Sequence, residues 1–423
     1  MVSRVVRPGG KGFIFLDAHP AGCARTVDEM IDEADQLRDG PARPGSAARG
    51  PTALVIGCSA GYGLASAVAG LFGYGARVIG LCFERSARVR RSASAGWYRV
   101  GRLADRAASA GLQFEAVNGD CFDPAVRAEV LDRVAAALGK VDVLIYSVAA
   151  PRRTDPRSGV VYHSAVKPVG AAYSARNVAF ADGVVLREAA LEPATDAEIE
   201  ATVKVMGGED WSDWITDLGG RGLLAPKFRT VALTYVGSEL TAPIYRQGTI
   251  GRAKDHLEAT AGQLTSGVLA GAGGRAFTSV NCAAVTLSSL AIPGISLYLS
   301  LLHAVAGEAA QSPVRQSARL WDHLTGLPGA SLDDRGRLRL DDWELADDLQ
   351  GELRRRWNAS DPELIAGLAD ADWFRRQIWR LYGFEVSGID YSQPAELDQP
   401  WPPPAATTPG QHAPEQVRVR PVC

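Results

Sequence analysis

Residues 53–63 read Ala-Leu-Val-Ile-Gly-Cys-Ser-Ala-Gly-Tyr-Gly. The first four are continuously apolar, which is typical of a strand covered by helices on both faces. Gly57, Gly61 and Gly63 follow, and an apolar helical pattern over 64–72 comes next. Glycines between a strand and a helix permit a tight turn and let a phosphate approach the backbone amides at the helix N-terminus. The stretch therefore predicts a dinucleotide site, although its spacing is GxxxGxG and not GxGxxG.

Apolar runs and helical patterns alternate along the chain after this stretch. Such alternation predicts an α/β fold of the Rossmann type, a doubly wound parallel sheet with helices on both faces. The further predicted strands lie at 77–83, 114–117, 141–147, 230–233 and 277–280, and the helices between them lie near 100–108 and at 124–138.

The sequence divides into three predicted regions. Residues 1–50 form an N-terminal extension, and residues 51–391 form the α/β domain. An insertion over about 151–228 is expected to cover the substrate site at the carboxyl edge of the sheet. Residues 392–423 are rich in proline and are expected to be disordered. Smaller predicted elements are a strand at 12–16, a loop at 40–50, and helices at 26–38, 196–205, 211–218, 342–357 and 362–381.

The composition excludes several functional classes. The chain has 423 residues, of which 46% are hydrophobic and 22% charged, so it can bury a large core. Its formal net charge of −3 leaves no basic surplus for binding nucleic acid. The six cysteines include no CxxC pair, which indicates a reducing compartment and no metal site. The first residues lack a signal-peptide pattern, so a cytoplasmic location is expected.

One segment, residues 276–307, contains no Asp, Glu, Lys or Arg and is long enough to cross a bilayer. Polar residues such as Asn281 lie within it, and Pro293 and Gly294 interrupt it. Only Arg275 flanks it, which is too little basic charge to orient a membrane span. We therefore expect a buried strand followed by core or substrate-facing helices, with no integral membrane association. An apolar lip that touches membrane lipid is the alternative left open.

Tyr245 and Lys254 are the candidate catalytic pair. Nine steps of about 100° place them on opposite faces of one straight helix, so the chain must bend between them. Gly248 and Gly251 permit that bend, which predicts Tyr245 in a loop and Lys254 on a helix that starts near Thr249. A neighbouring ammonium would favour the phenolate and lower the pKa of the tyrosine. Together with the glycine turn, the pair indicates nicotinamide-linked reduction.

Residues at the ends of the other predicted strands suggest the rest of a cofactor site. Glu84 ends the second strand about twenty residues beyond the glycines, where a carboxylate accepts hydrogen bonds from the adenosine ribose. Because Glu84 would repel a 2′-phosphate, NADH is predicted in preference to NADPH. Asp120 could hold the adenine amino group, and Val148 and Ala149 could line the path of the ribose.

Five motifs resemble those of the FabV-type enoyl-acyl-carrier-protein reductases, which share their fold with the trans-2-enoyl-CoA reductases. The resemblance runs from about residue 12 to residue 391, and the eight-residue gap between Tyr245 and Lys254 is specific to this group within the short-chain dehydrogenase/reductase superfamily. The motifs are GCSAGYGLAS at 57–66, PRRT at 151–154, MGGEDW at 206–211, the segment 245–254, and LDDWEL at 340–345.

The resemblance implies an NADH-dependent reduction of trans-2-enoyl thioesters, carried by acyl carrier protein or coenzyme A, by a monomer in fatty acid synthesis. Tyr245 would be the proton donor, Lys254 would bind the nicotinamide ribose and support Tyr245, and Tyr235 would touch the thioester. The residues that would contact NAD are Gly57, Cys58, Ser59, Ala60, Gly61, Tyr62, Phe83, Glu84, Asp120, Cys121, Val148, Ala149, Lys254, Ala283, Ala284, Val285 and Thr286. Of these, Thr286 would lie beside the cofactor diphosphate or the acyl pocket.

The chain departs from that family at three positions. Arg252 and Cys282 stand where a lysine is usual, and Leu287 replaces a usual glutamine, so charge at the cofactor edge is reduced. Two other functions remain open. A ketoreductase or alcohol dehydrogenase of the same superfamily usually has three residues between Tyr and Lys, but Thr249 occupies that place here. A non-catalytic NAD-binding regulator could keep the glycines and lose the proton donor.

Overall fold

A computed structural model describes residues 3–37, 50–180 and 184–403 of the chain. The strands are β1 Ser3–Arg4, β2 Gly10–Lys11, β3 Ile14–Phe15, β4 Thr52–Ile56, β5 Arg77–Cys82, β6 Phe114–Asn118, β7 Val141–Tyr146, β8 Arg152–Thr154, β9 Val161–His163, β10 Tyr173–Phe180, β11 Val184–Leu191, β12 Leu224–Thr234, β13 Arg275–Val280, β14 Arg337–Arg339 and β15 Ala395–Glu396. The helices are α1 Pro20–Gln36, α2 Gly61–Val68, α3 Ala95–Ser109, α4 Pro124–Ala137, α5 Asp196–Met206, α6 Glu209–Gly220, α7 Thr249–Ser266, α8 Ile295–Ala306, α9 Pro313–Thr325, α10 Asp347–Ala359, α11 Ile365–Leu368 and α12 Ala371–Leu381. A π-helical turn at Ala69–Gly73 continues α2.

Seven strands form one parallel sheet in the order β14-β13-β12-β7-β4-β5-β6. The chain winds outward from β4 to β6 and then returns to β7, which lies on the other side of β4. The switch point of the sheet is therefore between β4 and β7, and ligands of open parallel sheets bind outside the strand ends at such a point. The predicted doubly wound α/β fold is confirmed.

Helices cover both faces of the sheet, as the continuously apolar strands require. Val55 of β4 points into a core built with α1, α2, α3 and α9. Its neighbours Leu54 and Ile56 point into a second core built with α4, α6 and α7. Each buried side chain of this size contributes about 1.5–3 kcal/mol relative to exposure, so both faces hold the sheet in place.

The region between β7 and β12 contains two antiparallel hairpins, β8–β9 and β10–β11, followed by α5 and α6. The side chain of Thr195 and that of Glu198 form a capping box at the start of α5. Trp211 and Trp214 of α6 are fully buried against the sheet, so this predicted helix belongs to the sheet-covering layer. β12 begins at Leu224, which is earlier than predicted.

A third apolar core lies beside the sheet and includes α8, α10, α12 and the hairpin β10–β11. The hairpin is tied to the start of α8, because the backbone N–H of Val178 donates to the Ser296 hydroxyl at 2.9 Å. The charge-free segment thus supplies β13 and α8, as predicted. Among the described residues, no helix is both long and apolar enough to cross a bilayer.

Several predicted boundaries were wrong for local reasons. α1 starts at Pro20, well before residue 26, because the His19 side chain accepts a hydrogen bond from the Gly22 N–H at 3.2 Å and caps the helix. The helix predicted over 342–357 begins only at Asp347, and the one predicted over 362–381 is divided into α11 and α12. The predicted loop at 40–50 lies almost wholly outside the described residues.

The expectation that disorder begins at residue 392 is wrong for residues 392–403. β15 pairs with β1, Leu397 is completely buried, and the Trp401 indole N–H donates to the Ala116 carbonyl at 3.0 Å. One leucine and one tryptophan anchor this proline-rich segment, although its composition suggests a free tail. Residues 404–423 lie outside the described residues.

Replacing Leu397 by alanine should lower the free energy of unfolding by about 2–5 kcal/mol, because the change leaves a cavity in a packed site. The matched control is Asp398→Ala, an exposed neighbour, for which we expect a change within about 0.5 kcal/mol. Urea unfolding of both variants measures the difference. Equal stability of the two variants would mean that this segment does not pack against the domain.

Candidate active site

The turn between β4 and α2 lies at the switch point of the sheet. Gly57 has a φ of 89°, and a Cβ atom there would lie 2.0 Å from the Ser147 carbonyl oxygen. Only glycine tolerates both the positive φ and the short contact with Ser147. Glycine at this position therefore lets the ends of β4 and β7 approach closely and leaves the backbone accessible to a ligand.

The start of α2 forms one wall of a cradle for an anion. Its N-cap, Ala60, provides no side-chain hydrogen bond, so the first-turn amides and the positive end of the helix dipole are available. Thr286 forms the opposite wall, since a Cβ at Gly61 would lie 3.3 Å from its methyl carbon. The Tyr62 hydroxyl donates to the Cys282 carbonyl at 2.8 Å and holds the walls together. These are the features that the sequence predicted for a diphosphate site.

Glu84 lies beside this cradle at the end of β5. The Ser59 hydroxyl donates to its Oε1 at 2.6 Å, and Asn118 exchanges two hydrogen bonds with the Glu84 backbone. A Cβ at Gly96 would lie 2.1 Å from the same Oε1. Gly96, which belongs to no recognisable motif, therefore lets α3 start directly against the carboxylate. Phe83 is 71% exposed and its ring is free to stack.

The remaining predicted cofactor residues differ in what they can offer. Cys58 is buried towards the core, so only its backbone can face a ligand. Asp120 accepts a hydrogen bond from the Phe122 N–H at 3.0 Å and closes the turn after β6. Burial raises the pKa of the Cys121 thiol well above its ordinary value. Val148 is half-buried and Ala149 exposed, just past β7.

Tyr245 and Lys254 lie where the sequence predicted. Tyr245 is in a run of turns after β12, and its carbonyl accepts the Gly251 N–H at 3.0 Å, which closes the bend. Lys254 is on α7, which starts at Thr249. The two side chains are 8% and 9% exposed.

The electrostatics of the pair differ from the prediction. Burial raises the pKa of the Tyr245 hydroxyl above its ordinary value, and the expected lowering by the ammonium is not found. Burial also lowers the pKa of Lys254 to about 8. Neither polar tip has a hydrogen-bond partner within the described ranges, and neither is fully enclosed. The Tyr245 hydroxyl is therefore protonated and can donate a hydrogen bond. Lys254 carries its proton at neutral pH but loses it at a lower pH than an ordinary lysine does.

Tyr235 connects Tyr245 to the cradle. The two rings meet edge to face, with centroids 4.7 Å apart. The Tyr235 hydroxyl donates to Glu344 at 2.9 Å, and the other carboxylate oxygen of Glu344 accepts the Ala283 N–H at 2.6 Å. Glu344 lies in the LDDWEL motif, yet nothing in its local sequence suggests a place in the site.

Of the three departures from the usual family residues, only Cys282 is inside the protein. It is 2% exposed, and its thiol donates to the Leu340 carbonyl at 3.3 Å. Burial raises the pKa of that thiol, so Cys282 supplies no charge in place of a lysine. Arg252 and Leu287 are exposed. Across residues 3–37, 50–180 and 184–403, no group of three or more His, Cys, Asp or Glu could hold a metal ion.

Three family models match the chain. The model described as the NAD(P)H binding domain of trans-2-enoyl-CoA reductase matches residues 5–89. The trans-2-enoyl-CoA reductase catalytic region matches residues 91–325. The enoyl reductase FAD binding domain matches residues 332–395.

The loop after the strand in residues 332–395, all of which the structure describes, does not fit the diphosphate of a flavin dinucleotide. They contain β14, α10, α11, α12 and the start of β15, and the helices pack against α8. The strand β14 is followed by 340–346, which has no glycine and carries Asp341, Asp342 and Glu344. This connection has no exposed glycine backbone comparable to that at Gly57 in the turn after β4. Its carboxylates would also repel a diphosphate.

Named proteins are similar over nearly the whole chain. The enoyl-acyl-carrier-protein reductase (NADH) of Streptomyces avermitilis is 53% identical over 94% of this chain and 100% of its own length. The trans-2-enoyl-CoA reductase (NADH) of Clostridium perfringens is 41% identical over 93% and 99%.

Solved structures agree with these relatives. The trans-2-enoyl-CoA reductase of Clostridium acetobutulicum in complex with NADH has a TM-score of 0.89 and 33% identity, and the match covers 95% of this chain and 100% of that one. The enzyme of Treponema denticola in complex with NAD has a TM-score of 0.86 and 38% identity over 94% and 98%.

Replacing Lys254 by methionine should stabilise the protein at pH 7. The folded-state pKa is about 8, against an ordinary value of 10.5, so the unfolded chain binds more protons between these values. The penalty on wild-type stability is complete below about pH 8 and is relieved as the pH rises towards 10.5. At 1.4 kcal/mol per unit, the gain at pH 7 is about 3 kcal/mol.

Urea unfolding at pH 7 and pH 10, without added ligand, measures this gain. The control is Lys140→Met, because Lys140 is exposed at the start of β7. A gain that stays the same at both pH values would show that Lys254 is not penalised for its charge.

Proposed function

The chain belongs to the trans-2-enoyl-CoA reductase family, and we propose that it reduces the double bond of trans-2-enoyl thioesters with NADH. The observation that carries this proposal is a protonated tyrosine, without a hydrogen-bond partner among the described residues, and a buried lysine across a glycine bend, together with a glycine-rich turn at the switch point of the sheet. Relatives named as NADH-dependent enoyl reductases extend over nearly the whole chain.

The residues around the switch point fit NADH. The α2 amides and the backbone at Gly57 would hold the diphosphate, and Glu84 would accept hydrogen bonds from the adenosine ribose. The carboxylate of Glu84 would also repel the extra phosphate of NADPH, which supports NADH as the preferred cofactor. When bound, the nicotinamide supplies a hydride to the β-carbon of the substrate.

Tyr245 would donate a hydrogen bond or a proton to the thioester oxygen as negative charge develops there. Its raised pKa keeps the hydroxyl protonated. Because no described residue bonds to that hydroxyl, its proton is free for the substrate. Lys254 would keep the local field positive at neutral pH. A fixed donor aimed at developing charge is worth about 3 kcal/mol, or roughly a hundredfold in rate.

The apolar core beside the sheet would receive the acyl chain. Tyr245 lies at the edge of this core, together with Ile250 of α7, Ile292, and Ile295 and Tyr298 of α8. Both acyl carrier protein and coenzyme A are supported as carriers by the names of the relatives. We infer a place in fatty acid synthesis from the same names.

The ketoreductase alternative finds no support in the geometry. Thr249, at the position where that group has its lysine, is fully buried, and its hydroxyl is bonded to the Ala165 carbonyl. A non-catalytic NAD-binding regulator is also disfavoured, because Tyr245, the proposed proton donor, is present and has no hydrogen-bond partner among the described residues.

Tyr245→Phe should lower kcat for crotonyl-CoA reduction by about a hundredfold, because the donor to the thioester oxygen is lost. The dissociation constant of NADH should stay within about twofold. Loss of NADH absorbance measures turnover, and quenching of protein fluorescence measures binding. Tyr382→Phe, a tyrosine that contacts Phe13 and Phe15, is the control. Normal turnover in Tyr245→Phe, or acetoacetyl-CoA as the better substrate, would disprove this assignment.

Glu84→Ala should weaken the preference for NADH. A hydrogen bond to a charged group is worth about 1.5–3 kcal/mol, so kcat/KM with NADH should fall roughly tenfold or more. Activity with NADPH should rise relative to NADH, because the repulsion is gone. Steady-state kinetics with both cofactors test this, with Glu129→Ala on the exposed face of α4 as the control. An unchanged NADH to NADPH ratio would refute the role of Glu84.

A further inference from the structure

We propose that Glu344 is a positioning residue that withdraws the Tyr235 hydroxyl from the substrate and couples the substrate wall to the cofactor loop. This inference rests on the proposed function and deepens it. It assigns different tasks to the two adjacent tyrosines: Tyr245 donates to the thioester oxygen, and Tyr235 supplies a fixed aromatic wall.

The Glu344 carboxylate accepts hydrogen bonds from three donors that lie far from it in the sequence. Its Oε1 accepts from the Tyr235 hydroxyl at 2.9 Å and from the Tyr298 hydroxyl at 2.7 Å. Its Oε2 accepts from the Ala283 N–H at 2.6 Å. A carboxylate only accepts, so each tyrosine must spend its single proton on Glu344. Tyr235 then has no proton left for the substrate, whereas Tyr245 keeps its own.

Burial makes these hydrogen bonds essential. Glu344 is completely buried, and no cation lies within ion-pair distance of it in the part of the chain that the structure describes. A buried carboxylate without a counter-ion is stabilised mainly by its hydrogen-bond donors. Losing one donor would therefore disturb the other two.

The surroundings raise the pKa of Glu344 to about 7. Burial is the main cause, Asp341 adds to it, and the three hydrogen bonds oppose it. The titratable groups around the carboxylate are Tyr235 after β12, Tyr298 on α8, Tyr62 on α2, Cys282 after β13, and Asp341. Asp341 is paired with Arg339, so the cation nearest to Asp341 is already engaged by another carboxylate. A proton on Glu344 would turn one acceptor into a donor and break this arrangement near neutral pH.

The backbone at Glu344 is also fixed. The Gln350 side-chain amide donates to the Glu344 carbonyl at 2.6 Å and to the Tyr298 hydroxyl at 3.3 Å. Ala283 opens the predicted cofactor loop, and Tyr235 touches the ring of Tyr245. The segment after β14 therefore serves the site by placing one carboxylate between the substrate tyrosines and the cofactor loop.

The test uses Glu344→Gln, Tyr235→Phe and the double variant in the full-length chain, with the exposed Glu363→Gln as the matched control. Glutamine cannot accept all three hydrogen bonds, so kcat/KM for crotonyl-CoA should fall about tenfold or more. Tyr235→Phe should cost less than Tyr245→Phe, and adding Glu344→Gln to it should cost less than Glu344→Gln alone. The pH profile of wild-type kcat/KM should show an ionisation near 7 that Glu344→Gln lacks.

Three results would overturn the proposal. They are a Glu344→Gln enzyme with wild-type kcat/KM and pH profile, a Tyr235→Phe enzyme as impaired as Tyr245→Phe, and additive effects in the double variant. If Glu344→Gln does not fold, Tyr298→Phe removes one donor and should shift the same ionisation upwards, and no shift would refute the coupling.

A wild-type enzyme without enoyl-dependent NADH oxidation would refute the proposed function instead. In that case the thermal shift caused by NADH still tests Glu344. It should be smaller in Glu344→Gln than in Glu363→Gln, and equal shifts would overturn the coupling to the cofactor loop.

Discussion

The close approach of β4 and β7 at Gly57 is the constraint on which the site depends. A side chain at that position would collide with the Ser147 backbone, so the two central strands can end side by side only with glycine there. Their pairing fixes the switch point, and the switch point places the α2 N-terminus, Glu84 and the loop after β13 around one crevice. Cofactor geometry therefore follows from backbone packing in the middle of the sheet.

The catalytic residues are arranged by burial more than by mutual attraction. The proposed catalytic residues Tyr245 and Lys254 and the proposed positioning residue Glu344 are each less than a tenth exposed, and burial shifts the pKa of each in the direction that favours its neutral form. Such groups cost stability, so the surrounding cores must offset them. The two cores on the faces of the sheet and the third core around α8 provide that support. Tyr245 belongs to the third core, and Tyr235 packs against it.

Most of the sheet could be predicted from sequence because its strands are continuous apolar runs. β14 could not, since Arg337-Leu338-Arg339 has one apolar residue and becomes a strand only by pairing with β13. The bend between Tyr245 and Lys254 was predictable because it is local. Glu344 was not, because Tyr235 is 109 residues away and Tyr298 is 46. The pKa shift of Tyr245 likewise depends on packing that no local pattern reveals.

The segment from β14 to α12 also acts through contacts with distant parts of the chain. Its helices complete the apolar core around α8, and its first loop brings a carboxylate to the Ala283 amide. This loop would not bind a diphosphate, because the Glu344 carboxylate cannot donate a hydrogen bond to phosphate oxygens and the nearby Asp341 would repel them. The segment would thus close the core that we propose for the acyl chain and orient Tyr235 without a nucleotide of its own. We infer that the segment supports the reacting edge through the hydrogen bonds of Glu344, which join Tyr235, Tyr298 and Ala283 from three distant parts of the chain.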